Sequence, residues 1–374
     1  MPDPIQLFKP YICEEAIAAA SEVLRSGWIG LGPRTEAFET AFARWLGARH
    51  AVATNSATTA LHIALAAHGI GPGDEVITTP LTFVSTNHAI HYVGADPVFC
   101  DVDPRTMLLD LDRAEELVGP RTRALMAVHY GGTPFDLARL RAFAQRHGLV
   151  VIDDAAHACG TSFQGERLGA RGTVCFSFHA VKNLPIGDGG MLVTDDPAIA
   201  ERARRLRWMG IDRSTFARNG GGYQWEYDVP EVGWKAHMND IAAAIGLAQL
   251  PHVDGWNARR RDIAASYLGK IPDLDPQRVT AVAGTPGAVS AGHLCALLIA
   301  DRDAVADRLR ADGIGTGVHY KPNHLYAPYL SARRGPLPVV DAAWPRLLSL
   351  PMHVLLSDAD VERTGDALRR ALTS

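Results

Sequence analysis

The chain has 374 residues, 47% of them hydrophobic, which is enough to bury a large core and predicts two domains. Its formal net charge of −4, with 21% charged residues, gives no electrostatic reason to expect nucleic acid or an anionic membrane as a partner. Arginine supplies most of the positive charge, because the lysines are few: Lys9, Lys182, Lys235, Lys270 and Lys321. A lysine inside an apolar, glycine-rich segment therefore needs an explanation.

The sequence lacks the marks of export and of membrane insertion. The first twenty residues contain no apolar run after a basic region, so no signal peptide is predicted. No window approaches the roughly 18–20 apolar residues of a membrane span. The five cysteines are odd in number, far apart and without CxxC spacing, which predicts buried thiols in a reducing compartment. We expect a cytoplasmic protein without a metal site.

Between residues 51 and 194 short apolar runs alternate with helical patterns. This order predicts an α/β fold with a mostly parallel seven-stranded sheet and helices on both faces. The predicted strands are Ala51–Thr54, Glu75–Thr78, Pro97–Cys100, Ala124–Val128, Val150–Asp153, Val174–Phe178 and Met191–Thr194. Helices are expected at Ala57–His68, Asp136–His147 and Pro197–Trp208. Ligands of such sheets bind beyond the carboxyl ends of the strands.

The second half of the chain has a different pattern. A loop-rich stretch, Arg213–Lys235, precedes helical patterns at Asn239–Leu250 and near Asn257–Tyr267. A strand at Leu294–Ala300 and helices at Arg302–Asp312 and Asp358–Ala371 follow. We expect a large domain with an N-terminal arm in residues 1–254 and a smaller α+β domain in residues 255–374.

The segment from Asn55 to Thr59 lies between the first predicted strand and its helix. Hydroxyl groups and free backbone N–H groups at a helix N-terminus form an anion site that suits a phosphate. Capping of the helix by Ser56 is an equally good explanation of this segment taken alone.

Two carboxylates end the strand at Val150, and alternation along a strand turns one of Asp153 and Asp154 toward the ligand edge. Either could instead cap the next helix. Lys182 follows another apolar strand in FSFHAVKN, where burial would lower its pKa and make its amine a nucleophile. The alternative is a loop lysine that reaches solvent. His88 and His91 have helical spacing but no further ligand, so a helix face is expected there.

The anion site at Asn55–Thr59, here called the anion cup, precedes a carboxylate and a buried lysine, all on strand ends. In this order they meet the needs of pyridoxal 5'-phosphate. The sequence here resembles the DegT-type nucleotide-sugar aminotransferases, enzymes of fold type I. The resemblance runs over nearly the whole chain, through SGWIGLGPRTEAFE, GDEVITTPLTFVST, VIDDAAHA, FSFHAVKN and MNDIAAAIGLAQL.

The resemblance implies roles for individual residues. Lys182 stands at the Schiff-base lysine and Asp154 at the partner of the pyridine nitrogen, and these two are the expected catalytic residues. Phe83 stands at the aromatic position that stacks on the ring, and His157 at the polar position near the phenolic oxygen. The phosphate is expected at Ala57, Thr58 and Ser177.

The resemblance also implies a substrate class. TFVSTNHAI, VHYGGTPFD, SFHAVKN and GIGTGVHY are similar to enzymes that act at C4 of a nucleotide-linked sugar, with the UDP-4-amino-4-deoxy-L-arabinose aminotransferases as the nearest match. The expected reaction transfers the amino group of glutamate to a keto-sugar on dTDP or UDP. Alternatives are a C3 aminotransferase, a sugar dehydratase of the same fold, and a non-catalytic sugar-nucleotide-binding regulator. The dehydratases have histidine where this chain has Lys182.

Two positions depart from the family pattern. Many relatives have asparagine where Lys235 stands, in a segment, Trp225–Asn239, that crosses to the neighbouring subunit. Lys235 could reach the partner's phosphate as a point charge. Asparagine or arginine is common where His237 stands. The resemblance therefore implies a homodimer with shared active sites and Lys235 as a cofactor contact from the partner subunit.

Overall fold

The computed structural model describes residues 3–212, 227–271 and 275–373. The strands of the first part of the chain are β1 His50–Thr54, β2 Glu75–Thr78, β3 Asp96–Phe99, β4 Thr122–Val128, β5 Val150–Asp154, β6 Ser162–Phe163, β7 Glu166–Arg167, β8 Thr173–Ser177 and β9 Gly190–Thr194. The helices of this part are α1 Glu14–Ser26, α2 Pro33–Leu46, α3 Ala57–Ala67, α4 Val84–Tyr92, α5 Leu111–Glu115, α6 Leu137–His147, α7 Pro197–Leu206 and α8 Asp240–Gln249.

Seven strands form the central sheet, in the order β1-β9-β8-β5-β4-β2-β3. Strand β9 is antiparallel to both neighbours, and the other neighbouring pairs are parallel. The predicted α/β fold with a mostly parallel seven-stranded sheet is confirmed. Because β9 alone is reversed, the carboxyl ends of the other six strands and the amino end of β9 meet at one edge.

Both faces of the sheet are buried, which explains why its strands are apolar throughout. In β8, Val174 and Phe176 pack on one face with Phe38 and Phe42 of α2, whereas Cys175 packs on the other face with α3. Successive side chains of a strand point to opposite faces, so a sheet covered twice needs apolar residues at every position. The core therefore lies in two layers, above and below the sheet.

Helices α1 and α2 were not predicted, and α2 begins at a contact from far along the chain. The carboxylate of Asp240 accepts hydrogen bonds from the backbone N–H groups of Gly32, Arg34 and Thr35 at 2.9–3.1 Å and from the Thr35 hydroxyl at 2.7 Å. A carboxylate at this position accepts from the free N–H groups of a helix start, and its negative charge is stabilised by the positive end of the helix dipole. This contact joins the segments GPRTE and MND.

The C-terminal part contains β10 Val279–Ala281, β11 Ala288–Val289, β12 Cys295–Ile299 and β13 Leu347–Leu350, with helices α9 Val253–Leu268, α10 Arg302–Ala311, α11 Pro338–Ala343 and α12 Asp358–Thr373. Strands β10, β12 and β13 form a separate antiparallel sheet. The N-terminal arm packs here, since Ile5 bridges to Ile314 and Leu7 accepts a hydrogen bond from the N–H of Met352. Helix α9 spans residue 254, and the division of the chain at that residue stays a prediction.

All five cysteines are buried and free of disulfides, as expected from their spacing. Within the described ranges, none of the helices is both long and apolar enough to cross a membrane. Residues 213–226, which make up most of the predicted loop Arg213–Lys235 and include Trp225, lie outside the described residues.

Candidate active site

A cavity of about 400 Å³ opens at the edge of the sheet where the parallel strands end. Seven of the eight residues predicted for the site line it: Ala57, Thr58, Phe83, Asp154, His157, Ser177 and Lys182. The eighth, Lys235, does not line it. Other lining residues include Thr82, Thr86, Asp188, His319 and Tyr320.

One end of the cavity is the N-terminus of α3. The Ser56 hydroxyl accepts a hydrogen bond from the N–H of Thr59 at 3.2 Å, so Ser56 caps the helix. The hydroxyl of Thr59 donates to Asn55 Oδ1 at 2.8 Å. The N–H groups of Ala57 and Thr58 belong to the first turn, which has no intrahelical acceptors, and both residues line the cavity. Capping and an anion site are therefore compatible in this segment.

Gly190, at the start of β9, lets the sheet approach this helix start closely. A Cβ atom at Gly190 would lie 2.4 Å from the carbonyl carbon and oxygen of Ser56 and 2.6 Å from the nitrogen of Ala57. Ser177 pairs with Gly190 across the two strands and is 5% exposed. Its hydroxyl accepts a hydrogen bond from the N–H of His179 at 3.4 Å and faces the cavity beside the cup.

The two carboxylates at the end of β5 have different surroundings. Asp154 lines the cavity, whereas Asp153 accepts a hydrogen bond of 2.9 Å from Nε2 of the fully buried His129. The predicted alternation along the strand is confirmed. Burial raises the pKa of Asp154, and hydrogen bonds from Thr86 and the N–H of Ala156, together with the charge of Lys182, oppose the shift.

Each oxygen of Asp154 is held by one donor. The Thr86 hydroxyl donates to Oδ2 at 2.6 Å, and the N–H of Ala156 donates to Oδ1 at 3.0 Å. Since Thr86 has given its only hydrogen to the carboxylate, it accepts the hydroxyl hydrogen of Thr82 at 2.8 Å. Two threonines thus fix the direction of the carboxylate and leave it lone pairs for a further donor.

Lys182 lies on the loop between β8 and β9. Its N–H bonds to the carbonyl of His179 at 2.8 Å. The next residue, Asn183, is 1% exposed, and its amide donates to Asn257 Oδ1 at 2.7 Å and to the carbonyl of Ala291 at 2.8 Å. Burial lowers the pKa of Lys182 to about 8, with the charge of Asp154 opposing the shift. The loop is thus anchored beside an amine that is partly neutral near pH 7.

Aromatic rings form the remaining wall. Phe83, 57% exposed, stands at the N-terminus of α4 with its ring 6.1 Å from that of Tyr320. His157 is buried, and its ring lies 4.4 Å from that of His293 and 5.9 Å from that of Tyr320. Burial, followed by the charge of Lys182, lowers the pKa of His157 and His293 well below the ordinary value. The lysine is therefore flanked by neutral imidazoles.

Lys235 and His237 lie apart from this wall. Lys235 is exposed, with its ammonium 5.3 Å from the ring centroid of Trp208. His237 packs edge-on against Trp208 and bridges to Thr54, and burial, with the charges of Lys235 and Arg207, lowers its pKa to about 4. The role of Lys235 in a partner's site stays a prediction.

The cavity fits a phosphorylated aromatic aldehyde such as pyridoxal 5'-phosphate. Free N–H groups of α3 suit the phosphate, Asp154 has lone pairs for a ring N–H, and the Lys182 amine can meet an aldehyde. The lining residues thus satisfy all three requirements of that cofactor.

A sequence profile of the DegT/DnrJ/EryC1/StrS aminotransferase family matches residues 10–369. The chain belongs to this family. As a DegT-family member with the fold type I architecture, it is a transaminase. The resemblance found in the motifs is therefore confirmed.

Solved structures of aminotransferases superpose on this one. The aminotransferase TlmJ from Streptoalloteichus hindustanus shares 37% identity over 99% of both chains, with a TM-score of 0.91. The sugar aminotransferase CalS13 from Micromonospora echinospora shares 33% identity over 98% of this chain and 99% of its own, with a TM-score of 0.91. Spr1654 from Streptococcus pneumoniae, solved in a PLP-form, shares 29% identity over 99% of both chains, with a TM-score of 0.91.

Sequence reasoning missed several lining residues of this DegT-family enzyme. Thr86 stands three residues after Phe83, a spacing that places both on one face of the first turn of α4, and this signal was available. Tyr320 lies in the segment GVHY, 163 residues from its partner His157, and local spacing gives no sign of that contact.

Proposed function

We propose that this transaminase binds pyridoxal 5'-phosphate in the cavity and transfers the amino group of glutamate to the keto group of a nucleotide-linked sugar. The observation that supports the proposal most is the convergence of Lys182, Asp154 and the N-terminus of α3 on one cavity. A desolvated amine, an oriented carboxylate and an anion site together suit this cofactor better than any of the three does alone.

Each group would hold a different part of the cofactor. The N–H groups of Ala57 and Thr58 and the hydroxyl of Ser177 would bind the phosphate, and Phe83 would cover one face of the ring. Asp154 would keep a hydrogen on the ring nitrogen, since a carboxylate accepts from a pyridinium N–H. His157 contributes a neutral polar edge. When bound, the cofactor supplies an electron sink for the bond changes at the substrate carbon.

Lys182 would anchor the cofactor and move the proton. With a pKa of about 8, an appreciable fraction of its amine is neutral near pH 7, and the rest holds a proton that it can return. The Lys182 Nζ atom would take a proton from the substrate carbon and give it back one position away. Asp154 would stabilise the developing negative charge through the ring nitrogen.

The sugar substrate is supported by the relatives and by the motifs. CalS13, at 33% identity, is a sugar aminotransferase. The segments TFVSTNHAI and GIGTGVHY are similar to those of enzymes that act at C4, so the preferred acceptor is a 4-keto or 4-keto-6-deoxy sugar on dTDP or UDP. We also propose a cytoplasmic homodimer in which Lys235 serves the partner's phosphate, and the five free buried cysteines fit a reducing compartment.

The test is an assay of the purified protein with glutamate and a panel of keto-sugar nucleotides. Turnover should release 2-oxoglutarate, and NMR of the product should locate the new amine at C4. Borohydride reduction of the resting protein, followed by peptide mapping, should place a phosphopyridoxyl group on Lys182. A protein that binds the cofactor but releases no 2-oxoglutarate from glutamate would contradict the proposal.

A further inference from the structure

The hydrogen bonds around His157 determine which hydrogen of the cavity wall is available to a ligand. The backbone N–H of Gly131 donates to His157 Nδ1 at 3.3 Å, and a backbone N–H can only donate. Nδ1 therefore carries no hydrogen. The ring is buried and neutral, so its one hydrogen is on Nε2.

The Nε2 atom lies 3.0 Å from the hydroxyl oxygen of Tyr320, so His157 donates and Tyr320 accepts. The hydroxyl hydrogen of Tyr320 is then left for another acceptor, and the part of the chain that the structure describes provides none. Burial, with the charge of Asp154, raises the pKa of Tyr320, and the hydroxyl keeps its hydrogen across the neutral range. The result is a hydroxyl that is held by His157, keeps a hydrogen to donate, and belongs to a residue that lines the cavity.

Tyr320 also lines a second, outer groove of about 610 Å³, whose walls include Lys321, Tyr326 and Trp344. The cavity and the groove share Thr82, Phe83, His319 and Tyr320, so these residues stand where the two spaces meet. A substrate that enters from the groove meets Tyr320 where the two spaces join, and Lys182 lines the same cavity. This position favours a contact with the substrate over a contact with the resident cofactor.

We propose that Tyr320 is a catalytic residue whose hydroxyl donates a hydrogen bond to the carbonyl oxygen at the reacting carbon, with His157 as the positioning residue that keeps it a donor. The inference rests on the proposed function. As the amino nitrogen forms its bond to the carbonyl carbon, the electron pair of the C=O π bond moves onto the oxygen. A preorganised donor at that oxygen stabilises the charge as it develops.

The experiment compares Tyr320→Phe with Tyr92→Phe, which removes a hydroxyl from an exposed tyrosine outside the cavity. Single-turnover rates are measured separately for glutamate and for the keto-sugar, because the first half-reaction forms the carbonyl of 2-oxoglutarate and the second consumes the carbonyl of the sugar. In Tyr320→Phe both rates should fall about 100- to 1,000-fold at saturating substrate. The pH titration of the bound cofactor's absorbance, recorded without substrate, should not move. Tyr92→Phe should match the unmodified protein in all three measurements.

A double-mutant cycle with His157→Leu tests the positioning role, since it keeps the Tyr320 hydroxyl and removes its donor. The two substitutions should be strongly non-additive. Once His157→Leu has misdirected the Tyr320 hydroxyl, the further loss of that hydroxyl in Tyr320→Phe should lower the rate only slightly. A shifted cofactor titration in Tyr320→Phe would place the hydroxyl on the cofactor and overturn the inference, as would a higher KM with unchanged single-turnover rates. If the unmodified protein turns over neither substrate, the proposed function fails instead.

Discussion

Thr86 donates a hydrogen bond of 2.6 Å to Oδ2 of Asp154, across 68 residues of sequence, and joins the first turn of α4 to the end of β5. The N–H of Ala156 holds the other oxygen at 3.0 Å. A buried carboxylate without such donors would be costly in free energy and free to rotate. The two contacts fix the direction of the Asp154 carboxylate and oppose the rise of its pKa that burial causes, whereas Asp153 is turned toward His129.

Asp154→Asn should therefore keep the fold and lower kcat/KM about a thousandfold, because a neutral amide cannot hold a ring nitrogen protonated. Asp153→Asn should reduce it less than about tenfold, since an amide oxygen can still accept from His129. Steady-state kinetics and circular dichroism of both variants provide the check. Equal losses of activity in the two variants would show that the alternation of side chains does not separate their roles.

Thr86→Val should move the acid limb of the kcat/KM profile to higher pH. The hydroxyl of Thr86 lowers the pKa of Asp154, so its removal lets the carboxylate take up a proton at a higher pH. At neutral pH we expect a loss of about tenfold, the equivalent of one hydrogen bond to a charged group. Thr86→Ser keeps a hydroxyl and should restore both the profile and most of the rate. An unmoved acid limb in Thr86→Val would contradict this role.

Lys182 should make the stability of the cofactor-free protein depend on alkaline pH. Burial lowers its pKa to about 8 from an ordinary value of 10.5, so between these values the unfolded chain binds more protons than the folded one. The free energy of unfolding contributed by this group must then rise from about pH 8 to about pH 10.5. Urea denaturation across this range should show the rise in the unmodified protein. In Lys182→Met the rise should be missing, with the variant relatively more stable below pH 8.

The fold was largely predictable because each strand of a sheet that is buried on both faces needs apolar residues at every position. Each strand therefore appears in the sequence as a short apolar run next to a helical pattern. The residues at strand ends were predictable for the same reason, since Asp154 ends β5, and Ala57 and Lys182 follow β1 and β8 within a few residues. Helix α2 was missed because Asp240, more than 200 residues away, caps it. Tyr320 was missed because it reaches His157 only through tertiary packing.

Gly190→Ala should weaken cofactor retention. An added Cβ would lie 2.4 Å from the Ser56 carbonyl and 2.6 Å from the Ala57 nitrogen, so the start of α3 must shift. The N–H groups of the anion cup would move with it. Equilibrium dialysis of pyridoxal 5'-phosphate should give a dissociation constant at least about tenfold higher, since the cup depends on aligned donors. Gly255→Ala is the matched control, because nothing lies within 4 Å of a Cβ there. Equal cofactor affinity in the two variants would exclude the cup at this position.

Lys235 provides the test of shared active sites. It lies outside the cavity lining of its own chain, exposed above the ring of Trp208, so any contact with a phosphate must come from another subunit. We expect Lys235→Glu to weaken cofactor binding through repulsion of the phosphate and to leave the fold intact, and Lys182→Ala to abolish turnover. Each variant alone should be inactive at a limiting cofactor concentration.

In a mixed dimer of these two variants, one site combines both lesions and the other has neither. Subunit exchange at equal concentrations should then restore about a quarter of the activity, because half of the dimers are mixed and one of their two sites is complete. Mixing Lys182→Ala with Asp154→Asn is the control: both residues belong to the same chain's site, so every site in the mixed dimer keeps one lesion. Recovery in the first mixture and not in the second supports sharing through Lys235. An active monomer at assay concentration, established by analytical ultracentrifugation, would rule it out.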